Sequence, residues 1–171
     1  NYVLTRTLLS ELGYNETNKL EIDLWYESSG HYPSSADQAL FYKASLEASG
    51  VIKVNLKSAD WPSYRANRNN EIMQVYIYGW YPDYIDPDDY SFLYWATWIN
   101  HHYAKYNATN LYFNMTAAYD AARATTNETL REELYAELED YAVIDCPVVP
   151  IWQGRGFAVT KLEIKGVYLD I

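Results

Sequence analysis

The hydrophobic period alternates between two residues and 3.6 over residues 19–80, and few folds accommodate that rhythm. In KLEIDLWYE (19–27), Leu20, Ile22, Leu24 and Tyr26 take every second position, the spacing that lines one face of a strand. PSSADQALFYKASLEASG (33–50) reads as a helix, with Pro33 near its first turn and Gly50 where a left-handed C-terminal cap belongs. VIKVNLK (51–57) is a second strand, and DWPSYRANRNN (60–70) a short helix with Asp60 as N-cap and Pro62 in its first turn. EIMQVYIYGW (71–80) is a third strand, Met73, Val75 and Ile77 on one face. Strand–helix–strand–helix–strand alternation predicts an α/β sandwich with a largely parallel sheet. The loop after the third strand then falls at a C-terminal strand edge, where open α/β sheets bind ligands.

Farther on, TTNETLREELYAELEDYAVID predicts a helix opened by a Thr125–Glu128 capping box. Its buried stripe is Leu130, Leu134, Leu138 and Tyr141–Ala142, and Cys146–Pro147 ends it. PVVPIWQ and GFAVTKLEI predict two late strands, with Gly154 and Gly156 between them. At 171 residues the length fits one domain with its own core. No run of about 18 apolar residues occurs, as a spanning helix requires, and the N-terminal stretch does not read as a signal peptide.

Charge narrows the function. The chain carries 23 acidic against 13 basic side chains, a net charge of −10, which argues against nucleic acid as a partner. A single cysteine, Cys146, rules out an internal disulfide and a cysteine-rich zinc site, and its setting predicts a small buried residue. His31, His101 and His102 lack metal-ligand spacing, and no cofactor is expected. Asn-x-Thr sequons at Asn15, Asn107, Asn114 and Asn127 lean weakly toward an extracytoplasmic address. Nineteen Tyr and six Trp are many for this length, and rings with polar tips suit ligand grooves as well as cores.

The densest stretch is GWYPDYIDPDDYSFLYW (79–95), where Asp83, Asp86, Asp88 and Asp89 sit among rings. The spacing is wrong for a calcium loop. Asp86 reads as a helix cap, Pro87 as the first helical position, and Asp88 and Asp89 as first-turn acids facing the positive dipole end. Asp83 with Asp86 can be drawn as a glycosidase pair, yet no nucleophile elbow, phosphate loop or catalytic triad accompanies them. A surface module binding partners through aromatic patches is a third class.

The order of motifs is more specific. The run from LEIDLWYESSGHYP through LEASGV, Trp61 and the Gly79-Trp80-x-x-Asp83-Tyr84 segment to Asp86-Pro87 resembles the extracellular solute-binding proteins of family 5. These are the oligopeptide- and dipeptide-binding components of ABC importers. LREELYAELEDYAVIDCPVVPIW resembles the family's Arg-x-x-Leu-Tyr helix and Pro-x-x-Pro strand. The resemblance implies a type II periplasmic-binding-protein-like lobe, a mixed, largely parallel sheet flanked by helices. It also implies that residues 1–171 form a single α/β lobe, a fragment of a two-lobed protein whose N-terminal lobe is missing.

In function it implies capture of oligopeptides without turnover, with ABC permease subunits as partners. The address it implies is extracytoplasmic, membrane-associated through a part not in this chain. Residue by residue, Asp83 takes the ligand's α-ammonium group, Trp80 and Trp61 are pocket walls, and Tyr84 belongs to the same loop. Arg68 matches a basic position near the pocket, its plainer reading being a solvated helix end, and Trp152 falls where relatives place a Tyr. An oligosaccharide-binding branch of the family, stacking rings on sugar faces, is the alternative ligand class.

Overall fold

The computed structural model describes residues 1–92, 110–154 and 159–166. The chain divides into two compact units, one built from Asn1–Gly79 with 101–105 and one from Trp80–Asn100 with Tyr106–Ile171.

In the first unit, α1 (Tyr2–Glu11) leads to β1 (Leu20–Glu27), α2 (Ser35–Glu47), β2 (Ile52–Ala59), α3 (Trp61–Asn69) and β3 (Val75–Tyr76). The sheet order is β2-β1-β3, and both pairings are parallel. β1 lies in the centre, in full register with β2 from Leu20↔Ile52 to Glu27↔Ala59. Leu24, Val54, Ile77 and Ala39 of α2 are buried together, with Ile22, Tyr26 and Leu46 packed against them. A polar clamp seats α2: Lys43 pairs with Glu47 (2.7 Å) and donates to the Val54 carbonyl, while Glu47 accepts the Val54 N–H (2.9 Å). Gly50, at φ +81°, donates to the Glu47 carbonyl in the left-handed turn expected of it.

Asp60 caps α3 by accepting the Ser63 N–H, with proline in the first turn. The third strand is far shorter than its pattern. It pairs with β1 only at Leu24↔Val75 and Trp25↔Tyr76, and Val75 is exposed while Met73 and Ile77 are buried. Alternation sets which side chains can share a face, but a strand extends only as far as a neighbour supplies hydrogen bonds.

The second unit contains α4 (Asp88–Ser91), α5 (Asn110–Ala124) and α6 (Glu128–Asp145). Ala118, Tyr119 and Ala122 of α5 pack on Tyr135 and Leu138 of α6. The α6 cap is Asn127, whose side chain accepts the Leu130 N–H, and not Thr125, which instead accepts the Asn127 N–H. The helix begins two residues later than the box requires. The expected stripe holds at Leu134, Leu138 and Ala142, which Tyr135 joins, and fails at its start, where Leu130 is exposed.

Cys146 is exposed, the left-handed C-cap of α6 (φ +48°), because Pro147 cannot continue the helix. PVVPIWQ forms no strand, nor do residues 159–164 of GFAVTKLEI; residues 156–158 lie outside those described. Val149, Ile151, Trp152, Val159 and Leu162 are exposed, and these apolar runs pair with no strand of the described sheet. No described helix is long and apolar enough to cross a membrane.

Candidate functional site

The C-terminal ends of three parallel strands lie side by side in the first unit, and each is followed by rings. After β1 come His31 and Tyr32; after β2, Trp61; after β3, Tyr78. His31 stacks flat on Trp61, with centroids 3.6 Å apart and planes 11° apart. Tyr32 meets Trp61 edge-on at 5.6 Å and Tyr78 at 5.9 Å, and Trp61 lies 5.8 Å from Tyr78.

Hydrogen bonds from two tyrosine hydroxyls and one missing side chain fix this cluster. The Tyr32 hydroxyl donates to the Gly79 carbonyl (3.1 Å), and a Cβ on residue 79 would lie 2.8 Å from the Tyr32 ring, so glycine is required by the ring's approach. Beneath it Tyr64 is fully buried, and its hydroxyl is shared between the carbonyls of Ile77 (2.7 Å) and Trp25 (3.1 Å). Burial pushes the Tyr64 pKa far up, so it stays a donor.

Arg68 departs from the solvated-helix-end reading. It is 7% exposed, its guanidinium lies 4.7 Å from the Tyr78 ring centroid, and it donates to the Asn69 side chain (3.0 Å). Helix spacing returns it to the sheet side of α3. The structure thus gathers Trp61 and Arg68 around Tyr78.

In the second unit the acidic stretch forms a braced loop. Asp86 accepts the Asp88 N–H (2.9 Å) and pairs with Arg131 of α6 (2.5 Å). Arg131 also donates to the Ala122 carbonyl and the Tyr135 hydroxyl (3.2 Å each). Asp88 pairs with Arg123 of α5 (3.3 Å). The helix therefore starts one residue later than expected: Pro87, not Asp86, holds the N-cap position, with Asp88 and Asp89 in the first turn, while Asp86 accepts the Asp88 N–H from just before the cap.

Asp89 is buried and accepts the Asp83 N–H (2.7 Å), closing the loop. Asp83 itself is exposed, and its carboxylate makes no hydrogen bond among the described residues. Tyr84 is exposed too; its hydrogen bond to Asp88 pushes its pKa up to about 12. Trp80 packs edge-on against Phe92 (4.6 Å), and its indole N–H is buried without a partner among the described residues. Trp152 is 62% exposed in an irregular segment, against the Gly154 backbone. No group of metal-binding side chains occurs among the described residues. His101, His102 and Asn107 lie outside them.

The Asp86–Arg131 pair has a pH signature. The Arg131 hydrogen bond holds the Asp86 carboxyl below its ordinary value; burial opposes this and the Asp88 N–H assists it. A depressed carboxylate stabilises the fold above its unfolded pKa, near 3.8, and that stability is lost as pH falls through the lower folded value. Both side chains are partly exposed, so the pair contributes at most about 1 kcal/mol. Asp86→Asn is expected to lower the melting temperature at neutral pH and to flatten the acid limb below about pH 4. Thermal melts from pH 2 to 7 check this, and an unchanged acid limb contradicts it.

The family model for bacterial extracellular solute-binding proteins, family 5 Middle, matches residues 3–102. Heme-binding protein A of Haemophilus influenzae is 29% identical over 165 residues, 94% of this chain and 29% of the relative. The periplasmic oligopeptide-binding protein OppA of Escherichia coli is 26% identical over 166 residues, again 94% of this chain and 28% of the relative. Among solved structures, Haemophilus influenzae OppA in complex with RPPGFSPFR superposes with a TM-score of 0.74 at 25% identity, over 88% of this chain and 28% of that one. The chain spans less than a third of these relatives. The architecture is the type II periplasmic-binding-protein fold, α/β with a parallel sheet flanked by helices.

Proposed function

Because the chain belongs to the bacterial extracellular solute-binding proteins of family 5, we propose that it is the ligand-binding lobe of an ABC importer's binding component. It captures oligopeptides without turnover, outside the cytoplasm, and hands them to permease subunits. Residues 1–171 form one lobe of a larger two-lobed protein, whose other lobe completes the enclosure.

The observation that carries the reading is the state of Asp83. Its carboxylate is exposed and unengaged among the described residues, while its backbone is fixed by the buried Asp89. That is a pre-placed anion without a cation, which suits an α-ammonium group; a charge-assisted bond there is about twice as strong as a neutral one. Trp80, from the same loop, is carried over from the family resemblance as a pocket wall, its ring packed edge-on against Phe92. In the first unit Trp61 supplies apolar ring surface at a C-terminal strand edge, and its His31-covered face is already occupied. Arg68, Tyr84 and Trp152 are the remaining contacts. The peptide-bound relative at 25% identity supports the ligand class.

Titrating the tryptophan indole N–H signals with trialanine and with N-acetyl-trialanine, to several millimolar, tests this. Shifts with the free peptide alone are expected, and equal response to both removes the ammonium from the reading. A second reading, heme, follows from the relative at 29% identity named for it. Saturable absorbance changes of added hemin, with no response to peptide, transfer the site to that ligand. Response only to a β-linked oligosaccharide transfers it to sugars.

A further inference from the structure

Glu27 ends β1, the central strand, and only 1% of its surface is exposed. A carboxylate so placed is costly unless donors surround it. The donors come from the loop that follows: the N–H groups of Ser29, His31 (2.8 Å) and Tyr32, and the Ser29 hydroxyl. Gly30, at φ +89°, turns the chain so that residues on both sides of it point N–H groups at one carboxylate. Burial alone would raise the Glu27 pKa, but the hydrogen bonds of Ser29, His31 and Tyr32 outweigh it and keep the group ionised.

The Ser29 hydroxyl oxygen also accepts the N–H of Trp61, the first residue of α3 (3.2 Å). One buried carboxylate therefore ties the loop after β1 to the segment after β2. The rings borne by these two backbones are the stacked His31 and Trp61, with Tyr32 edge-on.

We propose that Glu27 is a positioning residue of the ligand site, holding residues 29–32 and, through the Ser29 hydroxyl, the start of α3, so that His31, Tyr32 and Trp61 stand as one preassembled wall. The inference rests on Trp61 lining that site. Preassembly lowers the ordering cost that binding otherwise pays in full. Glutamine at this position keeps the volume but turns an amide NH₂ toward backbone N–H groups, leaving donors without acceptors.

The test uses the full chain as Glu27→Gln and Ser29→Ala, with Trp61→Leu as the unstacked reference. The first readout is the NMR position of the His31 ring protons, which the Trp61 ring current displaces upfield. The second is trialanine affinity from the indole titration. Folded Glu27→Gln is expected to move His31 to its Trp61→Leu position and to weaken trialanine tenfold or more; Ser29→Ala shifts both readouts in the same direction by less. Folded Glu27→Gln with His31 unmoved, or with unchanged affinity, overturns the proposal. If Glu27→Gln does not fold, Ser29→Ala decides, because it removes only the linking hydroxyl. A role confined to stability would lower the melting temperature and leave the His31 position of the folded protein unmoved. Wild-type protein blind to trialanine sinks the peptide reading, while the His31 position still decides whether Glu27 sets the wall.

Discussion

Replacing Asp83 by Asn is expected to lower the affinity for trialanine by about 30-fold or more and to leave the response to N-acetyl-trialanine unchanged. The magnitude is the lower end of the roughly 2–5 kcal/mol lost when one partner of a desolvated charge pair is removed, and it applies in the two-lobed protein, where the second lobe closes over the exposed Asp83. The substitution isolates charge because the bond that holds the loop is made by the Asp83 backbone N–H to Asp89, and Asn at residue 83 keeps it. The Asp83 carboxylate contributes no described bond to the fold, so stability should change by less than about 0.5 kcal/mol. Indole titrations of the unsubstituted protein and of Asp83→Asn with both peptides, beside a thermal melt, supply the check. Equal losses for free and acetylated peptide would mean that Asp83 shapes the loop and does not meet an ammonium group.

The second large effect is on stability. Tyr64→Ala is expected to destabilise the first unit by about 3–5 kcal/mol, the range for removing a fully buried aromatic ring. Two contributions combine, the cavity and the loss of a donor shared by the Trp25 and Ile77 carbonyls at the ends of β1 and β3. Tyr64→Phe separates them: only the hydroxyl goes, at about 1–3 kcal/mol for acceptors left unsatisfied. Urea unfolding followed by circular dichroism measures both. A loss below about 1 kcal/mol for Tyr64→Ala would show that the core closes over the site. Because Tyr64 underlies Trp61 (6.4 Å between centroids), the same variant should also disturb the indole signal of Trp61.

How far the chain could be read without coordinates depended on how far each signal had to reach. β1, β2 and α3 were legible because alternation, the Asp60 cap and the first-turn proline act within a few residues. The cap of α6 was misplaced because Thr125 and Asn127 are both good caps two residues apart, and only the docked helix chooses between them. The late strands failed for the opposite reason. Their apolar alternation is genuine, but pairing requires an edge that local sequence does not supply. Of the site, the Asp83 loop and Trp61 were visible as motif residues. Arg68 was visible as a cation, but not as one buried against Tyr78.

Sequence by itself determined the α/β class, the parallel order implied by strand–helix alternation, the family, and the first-turn acids of the Asp86–Asp89 segment. All of these are carried by periodicity or by neighbours along the chain. Tertiary structure alone decided which carboxylates are held and which is left free. Arg131 reaches Asp86 across 45 positions, Asp89 folds back on Asp83, and Glu27, the polar end of a strand pattern, gathers a whole loop around itself. The physical reason is the same in each case. A charge takes its role from the donors and the burial that surround it, and for these residues both are created only when strand ends and helices come together.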